Sequence, residues 1–320
     1  MRRYERLAVA VVALVLAGCG DTHARTRAPP PAVGTTRVAD RGNIAAPKGT
    51  SGRSSSPATR RATRHLGALP GTTVVATLIS GGVRRSYRLH APAPLHDSAV
   101  RLPLVIVLHG ASGNAARVEL RYHWDPLSDR ERFFVAYPQG VLDQWNASLT
   151  HGVDDVSFLA TLIAQLERTL PVDSRRVFVA GMSNGGAMAY RVGCALSDQV
   201  AAIAAVEAPN PGCRPPRPIS MVAVHGLADS QVSFASAQQS VAAWRTFDGC
   251  PADPQIERTG PVTRQVWPSC AAGTSVALYA VANSGHEWPG SSPPLPGHDR
   301  PSPDLDATQV IWTFFEQHHS

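Results

Sequence analysis

From residue 71 onward, apolar positions fall into short blocks whose period switches between two and about three and a half, and those switches delimit the elements. Thr72–Ile79 and Arg84–His90 alternate around Ser80-Gly81-Gly82, which predicts two antiparallel strands joined by a tight turn. Leu104–Leu108 is an unbroken apolar run, the pattern of a strand buried on both faces, and Phe133–Tyr137 repeats it before Pro138 and Gly140 stop it. Over Asp154–Leu170, Val156, Leu159, Ile163, Leu166 and Leu170 share one helical face, and Pro171 closes the helix. Strand Arg176–Ala180, helix Gly186–Leu196, and strands Ala201–Glu207 and Ile219–His225 follow. Helix Ala235–Phe247, strand Ser275–Val281 and a terminal helix around Leu305–Gln317 complete the series. Strands alternating with helices predict an α/β fold with an open, mostly parallel sheet covered on both faces. In such a sheet, chemistry belongs at the carboxyl ends of the strands.

The first seventy residues are of another kind. A basic start, MRRYER, precedes the apolar run Leu7–Ala17, which is too short to span a bilayer and reads as the core of a signal peptide over residues 1–18. Leu16-Ala17-Gly18-Cys19 has the form of a bacterial lipobox, which predicts lipidation at Cys19 and attachment to the outer face of the cell membrane; an ordinary signal peptide would predict secretion instead. Residues 19–70 are rich in Pro, Ala, Ser, Thr and Arg and too poor in apolar residues to bury a core, so a disordered spacer is expected before a catalytic body over 71–320.

Charge changes the picture only by its location. The chain carries +6 in all, with +2 over residues 1–19 and +7 over 20–70, which leaves 71–320 at about −3. A basic chain is thereby reduced to a basic appendage, and nucleic-acid binding is not expected of the body. Besides Cys19 there are Cys194, Cys213, Cys250 and Cys270, an even number without a Cys-x-x-Cys spacing. In an exported chain these predict two disulfides, and the sequential pairing Cys194–Cys213 and Cys250–Cys270 closes two short loops of similar length.

Gly181-Met182-Ser183-Asn184-Gly185-Gly186 joins a strand directly to a helix. This is Gly-x-Ser-x-Gly in the setting where a sharp turn presents a serine nucleophile above the sheet, with a helix N-terminus behind it for developing negative charge. Such a serine needs a base, and the base an orienting acid, in the chain order Ser, Asp, His. Asp229 lies just beyond the strand that ends at His225, ahead of Asp198 and Asp248 as the acid. His286 follows strand Ser275–Val281 and is preferred as base to His298, His318 and His319. The oxyanion amides are expected at Asn184 and, after the strand that ends at Leu108, at Ala111 rather than Ser112, with His109 bracing that loop. His151, Asp154 and Asp155 read as a helix N-terminal cluster rather than a metal site, and no cofactor is implied. Trp145 and Trp288 are candidates for an aromatic substrate pocket.

LHGASGNA (108–115), AYPQG (136–140), Trp145-Asn146 and Val153-Asp154-Asp155-Val156 resemble the polyhydroxybutyrate depolymerase/feruloyl esterase family. So do VFVAGMSNGGAMAYRVGC (177–194), HGLAD (225–229) and GHEWPG (285–290), and the likeness runs over about residues 72–318. It implies an α/β-hydrolase fold and a cofactor-free esterase with Ser183, Asp229 and His286 as its triad. Many relatives have cysteine where this chain has Ala111, a change that leaves the backbone amide in place. The expected partners are a small-molecule or oligomeric ester and, through the lipid, a membrane; a serine peptidase and a binding-only lipoprotein are the rival readings. The sequence outside the body has no aromatic-rich adsorbing module, so small soluble esters are expected in preference to crystalline polyester.

Overall fold

A computed structural model describes residues 70–93, 100–292 and 299–320. The signal segment 1–18, the lipidation site Cys19, the spacer up to residue 69 and the rival base His298 lie outside the described residues.

The antiparallel start consists of β1 (Thr72–Ser80) and β2 (Val83–Ala91), with Ser80 paired to Val83. Only Gly81 and Gly82 are left for the turn, and both lie at positive φ, which the turn demands and glycine meets without a Cβ clash. The sheet continues with β3 (Leu102–Leu108), β4 (Phe134–Pro138), β5 (Val172–Met182), β6 (Ala202–Val206), β7 (Ser220–Gly226), β8 (Gln255–Thr259), β9 (Val262–Trp267) and β10 (Val276–Val281). Across the sheet the order is β1-β2-β4-β3-β5-β6-β7-β10-β9-β8, with the strands from β4 to β10 parallel and both flanks antiparallel. This is the α/β-hydrolase fold.

Alternation along the strands feeds two apolar layers. Leu104, Ile106 and Leu108 of β3 face one, and Val105 and Val107 the other. The first layer is closed by α3 (Asp155–Thr169), α4 (Asn184–Ala195) and α5 (Phe234–Phe247), through residues such as Phe158, Met188 and Trp244. The second is closed by α1 (Ala115–Arg121), α2 (Trp124–Glu131) and α6 (Ala307–Phe315), through Val118, Trp124 and Ile311. Asp154, Ser233 and Asp306 accept from backbone amides at the starts of α3, α5 and α6, ending the strand–loop segments that precede them.

Three parts of the fold depart from the sequence pattern. On α3 the buried face is completed by Phe158 and Leu162, while Val156 and Leu170 are only partly covered. Helices α1 and α2 are short and separated by His123 at φ 59°, so neither shows a sustained period. Strands β8 and β9 form an edge hairpin whose first strand is exposed throughout, which removes the apolar alternation that would have marked it.

Candidate active site

The carboxyl ends of four adjacent parallel strands, β5, β6, β7 and β10, carry Ser183, Glu207, Asp229 and His286 in turn. Ser183 stands between Met182, the last residue of β5, and Asn184, the first of α4. Its φ of 53° and ψ of −121° are strained for a residue with a side chain, at a cost on the order of 1–3 kcal/mol. Close packing holds the turn in this state. A Cβ on Gly185 would stand 2.5 Å from Leu108 O and nearer still to His109 O, so no other residue lets the helix approach β3 so closely. The turn is also anchored by Ser183 N–H donating to Val206 O at 2.8 Å.

The loop after β3 lies against the serine: a Cβ at Gly110 would be 3.6 Å from Ser183 Cβ. His109 braces that loop, because Nε2 accepts from Gly140 N–H at 3.0 Å and Nδ1–H is left to donate to Gly110 O at 2.8 Å. Burial, opposed by that hydrogen bond, holds the His109 pKa below its ordinary value. The Ser112 amide donates to Asp143 O at 2.9 Å. Among the described residues no acceptor is provided for the Ala111 amide. The Asn184 side chain is tied to Trp145 in both directions, accepting from its N–H at 2.7 Å and donating to its carbonyl at 2.9 Å.

His286 Nδ1 lies 2.7 Å from Asp229 Oδ2, and both side chains are buried. Asp229 Oδ1 accepts from the amides of Gln231 and Val232 at 2.7 and 2.9 Å. Burial alone would raise the Asp229 pKa, but the neighbouring Glu207 side chain, the His286 ring and these two amides outweigh it and hold the carboxyl below its usual range. His286 is fixed from its backbone as well, since its N–H donates to Asp299 Oδ2 at 2.7 Å. Beside it, Glu287 pairs with Arg121 of α1 at 3.0 Å, with both partners buried.

The competing residues lie elsewhere. Asp198 is exposed, and Asp248 is buried at the end of α5, where it accepts from Ile219 N–H. His318 contacts Ser275 and Phe314, and His319 is exposed. Asp154 caps α3, and Asp155 pairs with Arg85 at 2.7 Å, so the cluster near His151 is used by the fold. Among the described residues the set spaced closely enough to hold a cation is Glu207, Asp229 and His286. At 2.7 Å, however, His286 and Asp229 are at hydrogen-bond contact, with a proton rather than an ion between them.

No family model matches the chain. It is 25% identical over 246 residues to the bifunctional acetylxylan esterase/xylanase XynS20E of Neocallimastix patriciarum, which covers 74% of this chain and 34% of that protein. Feruloyl esterase B of Piromyces equi is 28% identical over 211 residues, or 58% of this chain and 39% of that one. Poly(3-hydroxyalkanoate) depolymerase C of Paucimonas lemoignei is 23% identical over 243 residues, 62% and 58% of the two chains. The chain thus spans about a third of the first of these relatives and less than two thirds of the others. The fold matches that of an acetyl xylan esterase from Aspergillus awamori with a TM-score of 0.60 at 16% identity, over 76% of this chain and 99% of that one. The sequence relatives are thus acetylxylan and feruloyl esterases and a poly(3-hydroxyalkanoate) depolymerase, a likeness that supports the family the motifs resemble.

Trp145 and Trp288, the candidates for an aromatic pocket, are both buried. Trp288 is fully buried, stacked on Tyr122 with ring centroids 4.3 Å apart, and its indole N–H donates to Thr308 Oγ1. Trp145 is buried too, with its N–H on His109 O at 2.9 Å. Each of these indole N–H groups has a partner, His109 O in the loop after β3 for Trp145 and Thr308 Oγ1 on α6 for Trp288. Glu207, Asp299 and Arg121 are the site neighbours that the motifs did not reveal. The one signal for Glu207 was a charged residue at the end of an otherwise wholly apolar strand.

The two disulfides join Cys194 to Cys213 and Cys250 to Cys270. The first ties the end of α4, the helix that follows Ser183, to the β6–β7 connection.

Proposed function

We propose that the chain is an exported serine carboxylic-ester hydrolase working through an acyl-enzyme intermediate. The observation that carries the reading is the 2.7 Å contact between His286 Nδ1 and Asp229 Oδ2, beside a serine held at φ 53° on the strand–helix turn. With Nδ1–H committed to Asp229, Nε2 is the nitrogen that accepts the Ser183 proton as Oγ attacks the ester carbonyl. Asp229 holds the tautomer and balances the imidazolium. The Asn184 amide, at the start of α4, and the Ala111 amide receive the oxyanion, and the engagement of the Ser112 amide with Asp143 supports Ala111 as the donor. The alcohol leaves with the proton from His286. Water, activated by the same nitrogen, then releases the acid and restores Ser183.

Short-chain acyl, hydroxycinnamoyl and hydroxyalkanoate esters are the substrate classes, in keeping with the acetylxylan, feruloyl and hydroxyalkanoate names of the relatives. Export is consistent with the two disulfides. Lipidation at Cys19 would hold the enzyme at the outer face of its own cell, where substrates of this size diffuse in. A fluorophosphonate probe should label Ser183, and Ser183→Ala should abolish both labelling and turnover of p-nitrophenyl butyrate and methyl ferulate. Retained turnover in a clean, folded preparation overturns the reading. Cys19→Ala should leave the detergent phase on partitioning, and unchanged partitioning overturns the anchor alone.

A further inference from the structure

The hydrolytic reading leaves a buried acid beside Asp229 unused. Glu207, directly after β6, is fully buried and held at φ 49°. Its Oε1 accepts from Gly226 N–H at 2.8 Å. Its Oε2 is buried and receives no hydrogen bond. Four titratable groups face this carboxyl. His225 of β7 has Nε2 3.4 Å from Oε2, but that N–H is directed to Val232 O at 2.9 Å. Asp229, in the turn after β7, and His286, after β10, lie within 4.8 Å, and Asp299 stands behind His286 on its backbone N–H.

Two carboxylates this close in a buried site cannot both remain ionised, so one keeps the charge and the other a proton. The donors decide which. Asp229 has two backbone amides and the His286 ring; Glu207 has one amide. The charge therefore belongs on Asp229. A proton on Glu207 Oε2 turns the atom that lacks a donor into one that supplies a hydrogen bond.

We propose that Glu207 is a positioning residue of the hydrolytic site: it remains protonated and donates Oε2–H to the Asp229 carboxylate, so that one negative charge rather than two lies behind His286. The proposal rests on the Ser183, Asp229 and His286 reading above. It agrees with a Glu207 pKa pushed up to about 10, by burial first and then by the hydrogen bond to Asp229 and the charge of that residue.

Glu207→Gln keeps an uncharged side chain with a donor, whereas Glu207→Ala removes both. In Glu207→Ala, kcat on p-nitrophenyl butyrate should fall about tenfold or more with little change in KM, the rate equivalent of losing one hydrogen bond to a charged group. Glu207→Gln should recover most of that loss, with the acid limb of kcat/KM at the wild-type pH. Infrared difference spectra between wild type and Glu207→Gln near neutral pH should show the carbonyl stretch of an un-ionised carboxylic acid. The proposal is overturned by ionised carboxylate bands alone, by wild-type kcat in Glu207→Ala, or by an acid limb that drops about one pH unit or more in Glu207→Gln, as removal of a nearby charge would cause. The infrared arm and Glu207→Gln decide the matter even if Glu207→Ala does not fold. Active Glu207 variants beside an inactive Ser183→Ala would leave the triad standing whichever way the infrared result falls.

Discussion

Gly185→Ala puts the packing argument at Ser183, the proposed nucleophile, to a direct test. The added methyl carbon would begin 2.5 Å from Leu108 O and 2.8 Å from Leu108 C, and closer still to His109 O. All three are backbone atoms of the strand and loop that carry the proposed oxyanion amide, so no side chain can swing aside to make room. Ordinary contact begins near 3.4 Å, which means α4 and the end of β3 must separate by about 1 Å. Overpacking of this kind costs about 1–3 kcal/mol of stability. A displacement of about 1 Å between reacting groups costs on the order of 10²-fold in rate. Gly193→Ala, on the same helix, is the internal control. The nearest atoms to its Cβ would belong to the side chains of Ile203 and Trp244, from 3.1 Å, far from the turn. Urea midpoints should therefore fall in both variants, but kcat on p-nitrophenyl butyrate should collapse only in Gly185→Ala. Wild-type kcat in a folded Gly185→Ala protein would refute the reasoning, because the close approach of helix and strand would then have no catalytic consequence.

Asp229→Asn should lower kcat on the order of 10⁴-fold by leaving His286 in the wrong tautomer, and His286→Ala on top of it should add little, since the groups act as a unit; additive losses in steady-state kinetics would contradict this. Replacing both Cys250 and Cys270 by alanine should cost ~3 kcal/mol in urea unfolding with kcat unchanged, because this bond lies toward the start of β10 and His286 beyond its end. Burial pushes the Asp248 pKa up to about 7, against hydrogen bonds from Ile219 N–H and Thr274. The folded state therefore binds a proton that the unfolded state has released, and stability falls as pH rises from the ordinary carboxylate range to about 7, by at most about 1.4 kcal/mol per unit. Asp248→Asn should gain stability over wild type at pH 8 relative to pH 5, and an equal difference at both pH values would contradict the assignment.

The central strands were legible because burial on both faces leaves them almost wholly apolar, and β3, β6 and β7 have no exposed position at all. Ser183 stood out because its turn tolerates only glycine at the points of closest approach. Asp229 and His286 were singled out by their place after strand ends, where the structure also has them. The β8–β9 hairpin was not legible: an edge strand reading Gln-Ile-Glu-Arg-Thr buries nothing, and only Gly260-Pro261 marks its turn. The surroundings of the tryptophans were not legible for a different reason. Nearness to a motif along the chain says nothing of which way an indole faces, and here both rings are buried, with their N–H groups on His109 O and Thr308 Oγ1. Glu207 was hidden by its apolar strand, and its significance depends on neighbours 18 or more residues away.

The two disulfides bridge sequence separations of 19 and 20 residues, yet they sit in a sheet whose strand order scatters neighbours along the chain. Short loops close with the least entropic loss, so the native pairing is also the one an unfolded chain meets most often. Covalent assembly in this protein can thus run ahead of sheet assembly without trapping it. Neither cross-linked loop contains Ser183, Asp229 or His286, so the segments that must travel furthest to meet remain free to do so after both bonds have formed. Reoxidation of the reduced, unfolded protein should then need little reshuffling, and a disulfide isomerase should shorten its recovery very little.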